Sequence, residues 1–335
     1  MDSIAEVGVL EPGHAAIVGR CRICGGTVGR TFSANGFSWF HCVICRTTQK
    51  VLTYPQYQNL NPTYDPGVFL DSCGRDQIEA FLDVDGATQV LNRVIGTFLQ
   101  SKRSEGHRQA FLDVGCGMGR YLIAAQRLGF ETLGFEPSAN HARVAREHFD
   151  LPVVSDYFDQ DRLDGKVFDL IMLSHVIEHI YDPKSFVMGL VQVLKPGGAL
   201  IIITPNNQSL VARAVGKNWP MLKPVDHVSL IGSKAYAHFD LQGVADVHHS
   251  YSEYPFEFAA SALAALKSFA SSARRDRSTT QTSTPELTPP PLRAFGVKAK
   301  LLRHALAAIS APMHAAAIAT NSQACLTSVV VRRTH

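Results

Sequence analysis

Long apolar runs are what this 335-residue chain most plainly lacks: no stretch of eighteen or more apolar residues occurs, so no bilayer-spanning helix is expected. Residues 1–10 contain no Lys or Arg and carry Asp2 and Glu6, so no secretory leader is read there. Charge of one sign is also missing. A formal net charge of +3 is too small to argue by itself for a nucleic-acid partner. Cysteine is scarce at seven residues, and without an export signal these are expected to be reduced thiols or metal ligands rather than disulfides. With 46% hydrophobic and 18% charged residues the composition is globular, with material for one large or two smaller domains. A soluble, cytoplasmic protein is the expectation.

What is present centres on Phe111-Leu112-Asp113-Val114-Gly115-Cys116-Gly117-Met118-Gly119-Arg120. An apolar run over 110–114 predicts a short buried strand, and 121–128 has helical spacing. The three alternating glycines between them permit positive φ and let a ligand lie against bare backbone, before a helix whose free N–H groups carry a positive dipole end. A dinucleotide fingerprint would need glycine at 120, where this chain has Arg, and Asp113 would repel a pyrophosphate while welcoming a cation. Further on, an acid follows each of two predicted strands. Glu136 is placed to accept from ribose hydroxyls, and Asp156 from an adenine amino group.

The Asp-x-Gly-x-Gly-x-Gly pattern resembles the first motif of the class I S-adenosylmethionine-dependent methyltransferases. The predicted strand 168–173 leads into Ser174-His175-Val176-Ile177-Glu178-His179-Ile180-Tyr181-Asp182-Pro183. That segment is similar to the LEHxxDP signature of their small-molecule subgroup, with Ile177 in place of Leu and His175 where many members have Asn. Lys195-Pro196-Gly197-Gly198 before an aliphatic strand matches too. The resemblance covers about 110–250 and the last ten residues or so. It implies an α/β fold, with a seven-stranded Rossmann-like sheet and helices on both faces. It also implies S-adenosylmethionine held by Asp113, Gly115, Cys116, Gly117, Gly119, Glu136, Asp156 and Ser174. The last strand, 325–333, comes late, so 251–322 reads as an insertion between the two strands of a terminal hairpin. It would hold an Ala-rich helix at 258–270, an unordered Ser/Thr/Pro stretch at 271–291 and an amphipathic helix at 297–320. That second helix is expected to pack as a lid, with peripheral membrane contact as the other use.

Ahead of this region, Cys21-x-x-Cys24 and Cys42-x-x-Cys45 frame an aromatic hairpin with seventeen residues between the knuckles. Four soft ligands with no open position suit a structural zinc, so residues 15–50 read as a small zinc-ribbon module. Residues 51–109 then form a linker with helices, and 110–335 the methyltransferase domain. The acceptor is expected to be a small molecule such as a secondary metabolite, a sugar nucleotide or a cell-envelope glycan precursor, methylated on O, N or C. Two alternatives stay open: a zinc-ribbon RNA methyltransferase, suggested by Arg20, Arg22, Arg30, Arg46 and Lys50, and a cofactor-binding protein without catalysis. If the acceptor is a hydroxyl, a base is needed at the carboxyl edge of the sheet, and His175, Glu178, His179, Asp226 and His227 are the candidates. Adjacent Glu178 and His179 are not expected both to point inward from a helical turn. His179 is the preferred base and His227 the second, with Asp226-His227 as an alternative acid–imidazole pair.

Overall fold

The computed structural model of the chain describes residues 20–60, 78, 82–99, 108–222, 224–252 and 315–334. The expected helix at 258–270, the stretch at 271–291 and most of the helix at 297–320 lie outside the described residues, although 315–319 are helical.

Two sheets organise the molecule. The smaller begins with β1 (Thr31–Ala34) and β2 (Phe37–His41), the hairpin expected between the cysteine knuckles, in a register that sets Phe32 opposite Trp39. Next come β3 (Thr48–Lys50) and α1 (Tyr54–Gln58), the latter inside the linker read over 51–109. Thr53 explains α1: its side chain and that of Gln56 cap each other's backbone N–H groups, enough to nucleate one turn beside Pro55. After α2 (Val84–Phe98) the large sheet opens with β4 (Ala110–Val114), α3 (Arg120–Arg127), β5 (Glu131–Phe135), α4 (Ala139–Phe149) and β6 (Val153–Val154). It continues through β7 (Phe168–Ser174), α5 (Pro183–Gln192), β8 (Leu194–Pro205) and α6 (Leu210–Val215). The short β9 (Ser229–Leu230) joins the small sheet, and β10 (Ala245–Ser252) and β11 (Cys325–Arg332) close the large one.

The seven-stranded order is β10-β11-β8-β7-β4-β5-β6, with β4 to β8 parallel and β10 and β11 antiparallel. Strand residues alternate between its two faces, except at the register slip between Phe168 and Leu170. Phe111, Leu170, Met172, Ile201 and Val329 pack under α2, α3 and α4. Leu112, Ile171, Leu173, Ile202 and Val330 pack under α5 and the segment carrying Tyr236 and Phe239. Both faces are covered, as the sequence implied. The chain leaves β4 towards β5 and β6, then crosses back to β7, so the switch point of the sheet lies between β4 and β7. Open α/β sheets hold ligands at the carboxyl edge of that point.

Two further expectations from the residue pattern, a turn at 195–198 and a helix over 233–241, need correction. Lys195 to Gly198 is not a free turn but the irregular start of β8, where the pairing with β7 slips between Phe168 and Leu170. Gly198 is required there because a Cβ would press on the carbonyl oxygens of Phe168, Asp169 and Lys195. Residues 233–241 hold a 3-10 segment, Ser233–His238, rather than a full helix.

Candidate functional site

The cofactor side of the switch point is built mainly from backbone. Gly115 and Cys116 donate their N–H groups to the Phe135 carbonyl at 2.8 and 3.0 Å, which folds the loop back over β5. Gly119 sits at φ +92 against Leu151 and opens α3; a side chain there would run into that leucine. Gly117 differs, because a Cβ built on it meets nothing within 4 Å. The loop therefore presents an open, side-chain-free surface there.

Asp113 lies beneath this loop, 1% exposed, and among the described residues neither of its carboxylate oxygens has a hydrogen-bond partner. Burial, with the negative charge of Glu136 adding to it, pushes its carboxyl up to about 8. An orphaned buried acid of this kind fits a ligand that brings its own cationic N–H donors, as the ammonium group of S-adenosylmethionine does. Glu136 accepts from the Gly117 N–H at 2.7 Å and the Ser138 N–H at 2.8 Å, so its carboxylate clamps the cradle to the start of α4. Ser174 ends β7 near the Tyr121 hydroxyl, which accepts from Arg120 at 2.9 Å. Cys116 turns its thiol towards Gly134 in the core, where it also donates to the Gly117 carbonyl at 3.7 Å. Asp156 lies further out, half-exposed, paired with Arg162 at 2.7 Å and accepting from the Tyr157 N–H.

On the other side of the switch point, β7 is followed by His175, held in the left-handed region at φ +57, and the chain continues as a 3-10 turn, Ile177–His179. This geometry overturns the expectation that Glu178 and His179 diverge. A carboxylate oxygen of Glu178 and one ring nitrogen each of His179 and His227 lie within 4.8 Å of one another. A 3-10 turn inside a sharp strand exit does not impose the angular spacing of an α-helix. Glu178 is fully buried and accepts from His175 Nδ1 at 3.2 Å and Thr204 Oγ1 at 3.1 Å. Burial opposes its ionised form, but the His175 hydrogen bond and the surrounding imidazoles outweigh it and hold the carboxyl at about 2.

The acid–imidazole pairing also differs from the alternative drawn from sequence. Asp226 bonds His179 Nδ1 at 3.1 Å, not its neighbour His227. The Nδ1 of His227 meets the Met221 carbonyl at 2.8 Å, and the two imidazole rings stand edge to face with centroids 4.8 Å apart. A carboxylate and a carbonyl can only accept, so both rings carry the proton on Nδ1 and leave Nε2 as an acceptor. Burial favours neutral His179, yet Asp226 and Glu178 prevail and raise its pKa above the ordinary histidine value. For His227 burial prevails, and its pKa lies below that value.

Near the amino end, the sulfurs of Cys21, Cys24, Cys42 and Cys45 all lie within 4.8 Å of one another, with Cys21–Cys45 and Cys24–Cys42 at 3.5 Å. Zinc–thiolate bonds of about 2.3 Å in a tetrahedron require sulfurs roughly 3.8 Å apart, so the donor set fits that ion. The hydrogen bond with Cys21 holds the Cys45 thiol below the ordinary cysteine value.

Two of the five basic residues of the ribbon are used internally, while Arg20, Arg30 and Arg46 are exposed. Lys50 is fully buried, donates to the carbonyls of Pro224 and Val225, and stacks over Phe37 and Trp39. Arg22 is bound by four hydrogen bonds within the protein. Neither Arg22 nor Lys50 was singled out for the site from sequence. The only signal was the position of Arg22 between Cys21 and Cys24 of the first knuckle.

Residues 87–239 match the family model described as a methyltransferase domain. That match contains the whole cradle, the 3-10 turn and the loop with Asp226 and His227. Among curated relatives, the mitochondrial ubiquinone biosynthesis O-methyltransferase of Rattus norvegicus is 35% identical over 108 residues, which is 30% of this chain and 31% of that protein. The ubiquinone biosynthesis O-methyltransferase of Cereibacter sphaeroides is 32% identical over 117 residues, 33% of this chain and 47% of that protein. The chain thus spans about a third to a half of the curated relatives it matches. Among solved structures, a SAM-dependent methyltransferase from Archaeoglobus fulgidus aligns with TM-score 0.43 and 15% identity, covering 75% of this chain and 95% of that one.

Proposed function

We propose that this chain transfers a methyl group from S-adenosylmethionine to a small molecule, with a hydroxyl as the acceptor group. The observation that carries the reading is the pairing of Asp113, buried without partners, with an open glycine cradle across the switch point from a histidine cluster. Asp113 and the loop from Gly115 to Gly119 would hold the cofactor. The bound cofactor supplies a sulfonium-activated methyl group, so the protein's task is alignment and exclusion of water.

A hydroxyl acceptor must also lose its proton, and His179 fits that task. Its Nε2 is free to accept, and Asp226 on Nδ1 fixes the tautomer and stabilises the imidazolium that forms. Glu178, ionised and buried, adds negative potential beneath the same ring. His227 presents a second Nε2 acceptor that orients the acceptor group. The relatives named as O-methyltransferases support an oxygen acceptor. The burial of Lys50 and the internal bonding of Arg22 speak for a small molecule over RNA. The four cysteines would hold one structural zinc, which stabilises the fold and leaves no coordination position for substrate.

Titration calorimetry with S-adenosylmethionine tests the cofactor assignment. Gly117→Leu should fold, because its side chain points into open space and the left-handed backbone costs only about 1 kcal/mol. It should nevertheless abolish binding by filling the cradle. Unchanged affinity in that variant would overturn the reading. Elemental analysis should find one zinc per chain, and its absence from protein made without chelator would remove the ribbon's metal.

A further inference from the structure

The cysteine ribbon and the acceptor cluster are one connected body. β3 and β9 form a two-residue antiparallel ladder, Thr48 opposite Leu230 and Gln49 opposite Ser229, so the small sheet takes its last strand from the segment that follows His227. Asn207, just past β8, donates to the Arg46 carbonyl at 2.6 Å on the second knuckle. Trp39 packs with Trp219, Leu222 and Leu230 in a cluster separate from the main core.

Within this contact, Arg22 occupies a singular place. It lies between the metal-ligand cysteines Cys21 and Cys24, and its guanidinium reaches both segments that carry the acceptor cluster. Nε donates to the Tyr181 carbonyl at 2.9 Å, two residues beyond His179. One terminal nitrogen donates to the Val228 carbonyl at 2.8 Å and the Ser229 hydroxyl at 3.3 Å, immediately beyond His227. The other donates to the Lys50 carbonyl at 3.0 Å, and the guanidinium lies 4.7 Å from the centroid of the Tyr181 ring. Tyr181 is in turn boxed by Tyr54 and Tyr57 of α1, each with its ring centroid 5.3 Å away. Lys50 completes the bracket by holding the Pro224 and Val225 carbonyls, directly before Asp226. The turn and the loop also touch directly, through the Val228 N–H on the Glu178 carbonyl at 2.8 Å.

We propose that Arg22 and Lys50 are positioning residues for methyl transfer: the metal-closed knuckle aims Arg22 so that it clamps the His179 turn to the Asp226-His227 loop. This rests on the reading of that cluster as the acceptor site. The physical reason is that a planar guanidinium binds several carbonyls in fixed directions, adding a rigid tie to the Val228–Glu178 and Asp226–His179 bonds that turn and loop make directly. The four-thiolate ribbon then acts on the acceptor side alone. Both arms of the cluster hang from it, while the cofactor cradle is held by β4, β5 and α4, which its clamp does not touch.

The test uses full-length, zinc-loaded protein with Arg22→Gln and Lys50→Met. Each variant is checked for retained zinc by elemental analysis and for S-adenosylmethionine affinity by calorimetry. The expected result is one zinc per chain, unchanged cofactor affinity and a kcat lowered on the order of 10- to 100-fold, the usual effect of displacing catalytic groups by about 1 Å. A readout independent of turnover accompanies it. Isotope-labelled histidine NMR, assigned with His179→Gln and His227→Gln, should show the Nδ1–H signals of His179 and His227 shifted or lost in both positioning variants. Arg22→Lys, which keeps charge but not the fork, should recover only part of kcat. Unshifted histidine signals with zinc retained would overturn the clamp even if no acceptor had yet been found. Shifted signals alongside full turnover in His179→Ala would keep the clamp and remove the base assignment instead. If Arg22→Gln loses its metal or fails to fold, Lys50→Met decides alone by the same readings.

Discussion

On the cofactor side, Gly115, Gly117 and Gly119 offer backbone from one continuous strand, loop and helix, fixed by main-chain bonds to Phe135 and the Glu136 clamp. On the acceptor side, Glu178 and His179 from the exit of β7 meet Asp226 and His227 from a loop much later in the chain. No local rule brings those two segments together. Their meeting depends on side chains, on a ladder between β3 and β9, and on a ribbon far away in sequence. A site half built from local backbone and half from distant side chains should fail in two separable ways.

The sharpest separation is expected at His179. His179→Ala should lower kcat about a hundredfold or more, the usual contribution of a general base, with cofactor affinity unchanged. His227→Ala should be the next most damaging. The pH profile sharpens this further. Because Asp226 and Glu178 raise the pKa of His179, the imidazole is protonated and inactive at low pH. Turnover should rise with pH through an inflection above the ordinary histidine value of about 6.5. In Asp226→Asn the inflection should fall, since burial then acts with less opposition. Near-normal kcat in both His179→Ala and His227→Ala would break the comparison, leaving alignment as the whole of catalysis.

A smaller effect, of the opposite kind, is expected at Asp113. Asp113→Asn should weaken S-adenosylmethionine binding about tenfold, the equivalent of roughly 1.4 kcal/mol, with little change in kcat at saturating cofactor. The free carboxyl holds its proton up to about pH 8, and a cationic ligand favours the ionised form. Cofactor binding should therefore release a proton near neutrality and tighten as pH rises towards 8. Calorimetry in buffers of different ionisation heat would detect that proton, and a buffer-independent heat would count against the Asp113 contact.

The smallest effect belongs to Asp156. Its half-exposed pair with Arg162 is worth about 0–1 kcal/mol, and Asp156→Ala should change cofactor affinity less than about threefold. A larger loss in the same titration would show that the acid leaves Arg162 to contact the adenine, as its position after β6 suggested.

Much of the cofactor half was legible because its information is local. Strand, glycine loop and helix follow one another within about twenty residues, and their periods of 2 and 3.6 are written directly in the chain. The terminal hairpin was also legible. Only an aliphatic run as late as 325–333 could fill the missing strand, and it pairs with β8 and β10. The acceptor half was legible as a set of residue types but not as a set of pairings. Asp226 stands beside His227 in sequence and bonds His179 in space. The 3-10 turn that brings Glu178 and His179 together has no signature distinguishing it from the first turn of a helix.

By itself the sequence determined the class of fold, the covered seven-stranded sheet, the open glycine cradle and the pairing of four cysteines in two knuckles. Each of these is set by backbone conformation and side-chain periodicity over short stretches. Tertiary structure alone decided that Asp113 is left without a partner, that His179 rather than His227 receives the carboxylate, and that Arg22 and Lys50 are turned inward to carbonyls of the acceptor loop. A charged side chain reads the same in sequence whether it faces water or a buried carbonyl. Only the packing of the ribbon against the switch point removes the water and makes those contacts the lower-energy choice.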